Sequence, residues 1–132
     1  MASSAASSSI QAQLDRILAS EIFAGSEQLR RFLKVTVKRT LAGQADQVKE
    51  YSLGVEVFNR PETYDPKIDP IVRVQARRLR AKLQDYYETE GREDVTVITF
   101  PKGGYVPLFG DRVIAPAPPT ARARVPWPRV VI

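Results

Sequence analysis

Apolar residues near the start of the chain recur at intervals of three and four. Leu14, Ile17 and Leu18 share one face of a short helix, and Ile22 and Phe23 carry the run into Ala24-Gly25-Ser26, which breaks it. Ser26 is a suitable N-cap for the next helix. There Leu29, Phe32, Leu33, Val37 and Leu41 repeat at helical spacing, while Arg30, Arg31, Lys34 and Lys38 fall largely off the stripe. This predicts an amphipathic helix with a basic solvent face, ended at Gly43, where a left-handed residue is expected. Tyr51, Leu53, Val55 and Val57 alternate, but Leu53, Val57 and Phe58 also match a helix. Helical neighbours and the Glu and Lys content favour a short helix, although Gly54 weakens it.

Three prolines and a cluster of Asn and Asp make "NRPETYDPKIDP" a loop. Its end carries a helix-start signal, with Asp69 as cap and Pro70 as first helical residue. From there Val72, Ala76, Leu79, Leu83 and Tyr86 or Tyr87 step by three and four, a core-facing stripe over 70–87. At 100° per residue, Arg73, Arg77 and Arg80 lie on one flank and Arg78 and Lys82 on the other. Val74 and Ala81 sit between the flanks, opposite the core. The period then changes. "VTVITF" alternates and is rich in β-branched residues, "PKGG" is a turn, and "YVPLF" returns as an edge strand because Pro107 cannot donate to a ladder. This predicts a β-hairpin over 95–109 with Lys102 at its tip.

The two ends lack such patterns. Residues 1–9 are Ser and Ala with no apolar period and read as a disordered leader. The domain is expected over 10–110. Residues 111–132 are rich in proline and arginine and read as a linker or tail. The final "VVI", after Arg122, Arg124 and Arg129, would also suit the start of a membrane helix beyond residue 132.

Composition narrows the chemistry. The formal charge of +5 favours an anionic partner. The chain has no cysteine and no histidine, so it lacks disulfides, thiolate metal sites and the usual general base near neutral pH. Its acids are scattered, and neither "GQAD" nor "KGG" is a phosphate loop. The expectation is therefore a protein that is not an enzyme, with no cofactor and no metal site. "MASSAASSSI" does not read as a secretory signal, and a cytoplasmic location is expected.

Three short helices followed by a hairpin predict a winged helix-turn-helix: mainly α, with a three-helix core, a C-terminal β-hairpin wing and an extra N-terminal helix. In such a fold the third helix enters the major groove of double-stranded DNA. Small residues at the centre of its outer face permit close approach. Arg77 and Arg78 are long enough to reach guanine edges, and Val74 suits a thymine methyl. The early placement of Arg73 and Arg77 and the late placement of Asp85 and Glu88 oppose the helix dipole. That arrangement aims cations and helix N-terminus at an anion. The DNA reading requires these guanidinium groups to project together, free of the chain's own carboxylates.

The residues "EYSLGVEVF", "DPIVRVQARRLRAKLQDYY" and "VTVITFPKGGYVPLF" resemble the winged-helix output domain of response regulators of the OmpR/PhoB type over about 26–109. That family's recognition helix commonly reads V-x-V-x-I-x-x-L-R-x-K-L, and Val72, Val74, Ala76, Leu79, Arg80, Lys82 and Leu83 fall in register. Its wing commonly ends G-x-G-Y, and here Gly104 and Tyr105 match. The resemblance implies a DNA-binding domain of a bacterial-type transcriptional regulator. Arg73, Arg77, Arg78, Arg80 and Lys82 would line DNA, Lys102 would touch backbone or minor groove, and Leu79, Leu83 and Tyr105 would be core. The sequence departs from the family in a helical N-terminal segment in place of a small sheet, in Ala76 and in Lys102. Similar domains also occur in membrane-anchored regulators of the ToxR type. Winged-helix regulators often pair on repeated half-sites, so a homodimer on DNA is a further expectation. The alternative is a winged-helix protein-protein interaction module that does not bind DNA.

Overall fold

A computed structural model describes residues 4–112. Four helices are followed by a two-stranded sheet: α1 (Ser4–Leu18), α2 (Glu27–Leu41), α3 (Glu50–Glu56), α4 (Ile71–Glu88), β1 (Thr96–Thr99) and β2 (Leu108–Asp111). A 3-10 turn at Ala45–Gln47 separates α2 from α3. The chain is thus mainly helical with one small antiparallel sheet.

The apolar stripes meet in one core. Leu14 and Ile17 of α1, Phe32, Leu33 and Val37 of α2, Leu53 of α3, Val72 and Leu79 of α4 and Ile98 of β1 are fully buried. Phe32 sits at the junction. Its ring meets Phe58, just after α3, and Phe100, just after β1, edge to face, with centroids 5.3 Å apart in each pair. Burying such a ring is worth about 1.5–3 kcal/mol, and each aromatic pair adds about 0.5–1.5 kcal/mol. One residue therefore ties α2 to the segments that follow α3 and β1.

Local signals act mostly where expected. Gly43 ends α2 with φ +78°, and Gln44 N–H bonds to the Arg39 carbonyl at 2.8 Å. Ser26 stands at the N-cap of α2, yet its side chain makes no capping bond. Helix α4 starts at Ile71, one residue after the expected start. Asp69 still caps it, accepting from Ile71 N–H at 3.2 Å while also pairing with Arg60 at 2.7 Å. Gly54 is buried in α3, and a Cβ there would overlap the Tyr64 ring. The residue that weakened the helical reading is the one that lets Tyr64 pack on that helix.

Three expectations are corrected. The leader reading fails for residues 4–9, which are helical. Alanine needs no periodic pattern to favour a helix, and Ala6, Ser9 and Ile10 lie across from Phe109 and Gly110 of the hairpin. The hairpin does not close on a tight "PKGG" turn. Its register pairs Thr96 with Asp111 and Thr99 with Leu108, leaving residues 100–107 as the connection. Pro107 thus falls just outside the ladder, as its missing N–H demands. The ordered unit also passes residue 110. Arg112 donates to the carbonyls of Asp94, Gly91 and Arg92 and lies 5.5 Å from the Tyr87 ring.

Arg112 belongs to a polar cluster that clamps α1, α4 and the hairpin together. Asp94 accepts from Tyr86 Oη at 2.5 Å and from the buried Gln13 Nε2 at 2.8 Å. Tyr87 Oη accepts from Ile98 N–H at 2.8 Å and donates to the Thr96 carbonyl at 3.3 Å. Burial alone would raise the Asp94 pKa. The bonds from Tyr86 and Gln13 and the charges of Arg16 and Arg112 outweigh it and hold the carboxyl below its ordinary value. Burial, then the same hydrogen bond, pushes the Tyr86 phenol well above its own. Among the described residues no helix is long and apolar enough to cross a membrane. The expected linker and its membrane-proximal "VVI" lie outside the described residues.

Candidate nucleic-acid interface

Helix α4 turns Val72, Ala76, Leu79, Leu83 and Tyr86 inward. Its opposite face therefore carries Val74, Arg77, Arg78 and Ala81, as the 3.6-residue period requires. Val74 is half-buried, and Arg77, Arg78 and Ala81 are exposed. Arg77 and Arg78 have no hydrogen-bond or ion-pair partner among the described residues. Two unpaired guanidinium groups thus flank a small apolar centre.

The other three cations of the helix are committed within the chain. Arg73 pairs with Glu50 of α3 at 2.7 Å and also donates to the Pro66 carbonyl at 3.0 Å. It stays 46% exposed, but its charge is matched. Arg80 donates to the Pro101 carbonyl at 3.1 Å and lies 5.8 Å from the Phe100 ring centroid. Lys82 donates to the Ile22 carbonyl at 3.0 Å. The expectation of five cations free of the chain's own carboxylates is therefore corrected at Arg73, because Glu50 opens the helix that packs beside α4. Arg80 and Lys82 meet carbonyls rather than carboxylates. Each is drawn to an adjoining loop whose carbonyls lack partners in regular structure.

These two bonds shape the surface around α4. Arg80 fixes Pro101 against the helix, and Lys102, the next residue, is exposed with no partner among the described residues. Gly103 follows with φ +82°, a left-handed conformation that suits glycine and folds the connection back. Tyr105 then packs half-buried against the core, its ring 6.4 Å from Phe100. Burial raises its pKa first, and the Glu50 carboxylate adds to that, while Arg73 and Arg80 oppose it. Lys82 ties the α1–α2 turn to the other flank. Glu90 fastens the same turn by accepting from the backbone N–H groups of Glu21 and Ile22, at 3.1 and 2.9 Å.

Of the predicted site residues, Val74, Arg77 and Arg78 share the outer face of α4, Lys102 is exposed on the hairpin connection that Arg80 holds, and Arg73, Arg80 and Lys82 act as ties within the chain. Two further cations flank the partners of Arg73 in sequence. Lys49 and Lys67 are exposed and unpaired among the described residues, and they stand next in sequence to Glu50 and Pro66, the two partners of Arg73. No spacing rule singles them out, because a fold contact across 23 residues brings Glu50 to Arg73.

Comparison with known proteins finds no matching family model, no similar curated protein and no similar solved structure.

Proposed function

We propose that this chain is a winged-helix domain that binds double-stranded DNA as part of a transcriptional regulator. In this reading α4 enters the major groove and the hairpin is the wing. Arg77 and Arg78 reach base edges or flanking phosphates on either side of Val74, and Lys102 meets backbone or minor groove. Arg80 and Lys82 hold the wing and the α1–α2 turn in place rather than contacting DNA. The observation that carries the reading is the pair of unpartnered guanidinium groups on the outer face of α4, beside a hairpin loop held to that helix by Arg80.

Selection from a random duplex library, followed by salt titration of the selected sequence, tests it. The expected result is sub-micromolar affinity at low salt that weakens linearly with log salt. Affinity indifferent to salt would sink the proposal. A repeated half-site among the selected duplexes would report a homodimer on DNA.

A protein partner is the second reading. It is favoured by the matched charge of Arg73 and by Ile68, an aliphatic side chain 81% exposed on the α3–α4 loop. Under it, reversing charge at Arg77 and Arg78 abolishes a protein complex while no duplex shifts in a gel.

A further inference from the structure

The C-terminal half of α4 and the hairpin enclose an open groove of about 640 Å³. Its walls include Leu83 and Tyr87 from the helix and Val97, Phe100, Leu108 and Phe109 from the hairpin. Leu108 is 57% exposed, an unusual state for a leucine set among aromatic rings. Gly110, paired with Val97 across the ladder, leaves that stretch of the strand without a side chain, and a Cβ there would meet nothing within 4 Å. Two cations and two acids border the groove, but they are not equivalent. Arg80 and Arg112 donate to backbone carbonyls, as described above, and keep their charge. Asp111 has no partner among the described residues, and Glu88 accepts only from Gln84. The groove is therefore apolar and aromatic within, and its rim carries balanced charge in which Glu88 and Asp111 are the two acids.

The chain leaves the described region at Arg112, which is itself part of the groove wall. The next 20 residues include Pro116, Pro118, Pro119, Pro126 and Pro128, with Arg122, Arg124 and Arg129 and no acid. Trp127 stands between two prolines and is the sole tryptophan of the chain. Proline-rich segments favour a pre-ordered extended helix and dock in aromatic-lined grooves at low entropic cost. We infer that this groove is the intramolecular seat of the chain's own C-terminal segment, with Trp127 as the apolar anchor and its arginines facing Glu88 and Asp111. Reach is ample: Trp127 lies 15 positions past Arg112, and at ~3.1 Å per residue an extended chain of that length could span about 45 Å. Covalent attachment supplies an effective concentration on the order of millimolar, so modest contacts suffice. The inference does not depend on DNA binding, since neither Arg77 nor Arg78 lines the groove.

Fluorescence of Trp127 in the full chain tests it. Docking predicts a blue-shifted emission, and acrylamide quenching several-fold weaker than for the same chain in urea, at all protein concentrations. Leu108→Asp, a change at an exposed position, is expected to restore quenching to near the unfolded level with the circular dichroism unchanged. Gly110→Val, which fills the groove, is expected to do the same. Three results would each overturn the inference. One is free quenching of Trp127 in the native wild type. Another is protection that survives both substitutions. The third is protection that disappears on dilution, which would assign the groove to a second copy's segment.

Discussion

At the residue scale, charge on α4 is decided by partners rather than by residue type. Arg77 and Arg78 are unpartnered, so replacing either by Ala is expected to lower the slope of log K against log salt by about one if it meets a phosphate. Arg73 should behave differently because Glu50 already holds it. Glu50→Gln releases that charge, and the expected outcome is a salt slope steeper by about one, measured by anisotropy on the selected duplex. Gly54 offers a stability test. Alanine normally improves a helix by about 0.5–1 kcal/mol, but here its methyl would strike the Tyr64 ring. Overpacking of that kind costs about 1–3 kcal/mol, so Gly54→Ala should lower the urea midpoint rather than raise it. The basic run of α4 was readable residue by residue from its spacing. The pairing of Arg73 was not, because Glu50 lies 23 positions away and only the packing of α3 beside α4 joins them.

At the element scale, α1, α4 and the hairpin are joined by polar ties as well as apolar packing. The Arg80 bond to Pro101 combines a charge-assisted hydrogen bond, worth about 1.5–3 kcal/mol, with a cation–π contact worth about 0.5–1 kcal/mol. Arg80→Ala should therefore loosen the hairpin connection. Faster hydrogen exchange at residues 100–106, with α2 unaffected, is the expected observation, and unchanged exchange there would refute the tie. The Asp94 cluster predicts a pH dependence. Its carboxyl is held below the ordinary 3.8, so its stabilising effect is complete above that value and is lost as pH falls through the lower folded value. Urea midpoints of wild type and Asp94→Asn should thus differ at neutral pH and converge on acidification below about pH 4. Tyr86 works in the opposite sense. Its phenol is raised above the ordinary 10.0, so stability present at neutral pH is lost as pH climbs past about 10. Helices α2 and α4 were legible from their apolar period, whereas the Ser/Ala start of α1 has none and α3 rested on its neighbours and composition. The length of the hairpin connection was not legible, because the ladder starts only after Pro107, whose missing N–H keeps it outside.

At the scale of the whole molecule, the net charge misdescribes the surface. Three of the 20 Lys and Arg residues lie past residue 112 with no accompanying acid, and among the described ones Arg16, Arg30, Arg31, Arg39, Arg60, Arg73, Arg80, Lys82 and Arg112 are bonded to the chain's own groups. The proposed interface offers chiefly Arg77, Arg78 and Lys102, so its salt slope should be about −3 in total, since each neutralised phosphate contributes about 0.9. A slope near −10 would mean that other cations carry the binding. By itself the sequence determined the apolar faces of α2 and α4, the hairpin that follows and the cationic run of α4, because periodicity and turn chemistry are local properties of neighbouring residues. Tertiary structure alone decided which cations remain unpartnered, that Arg112 is bonded to the turn after α4, and that a groove lies open beside it. Those outcomes depend on distances between residues far apart in sequence, and such distances exist only once the core around Phe32 has formed.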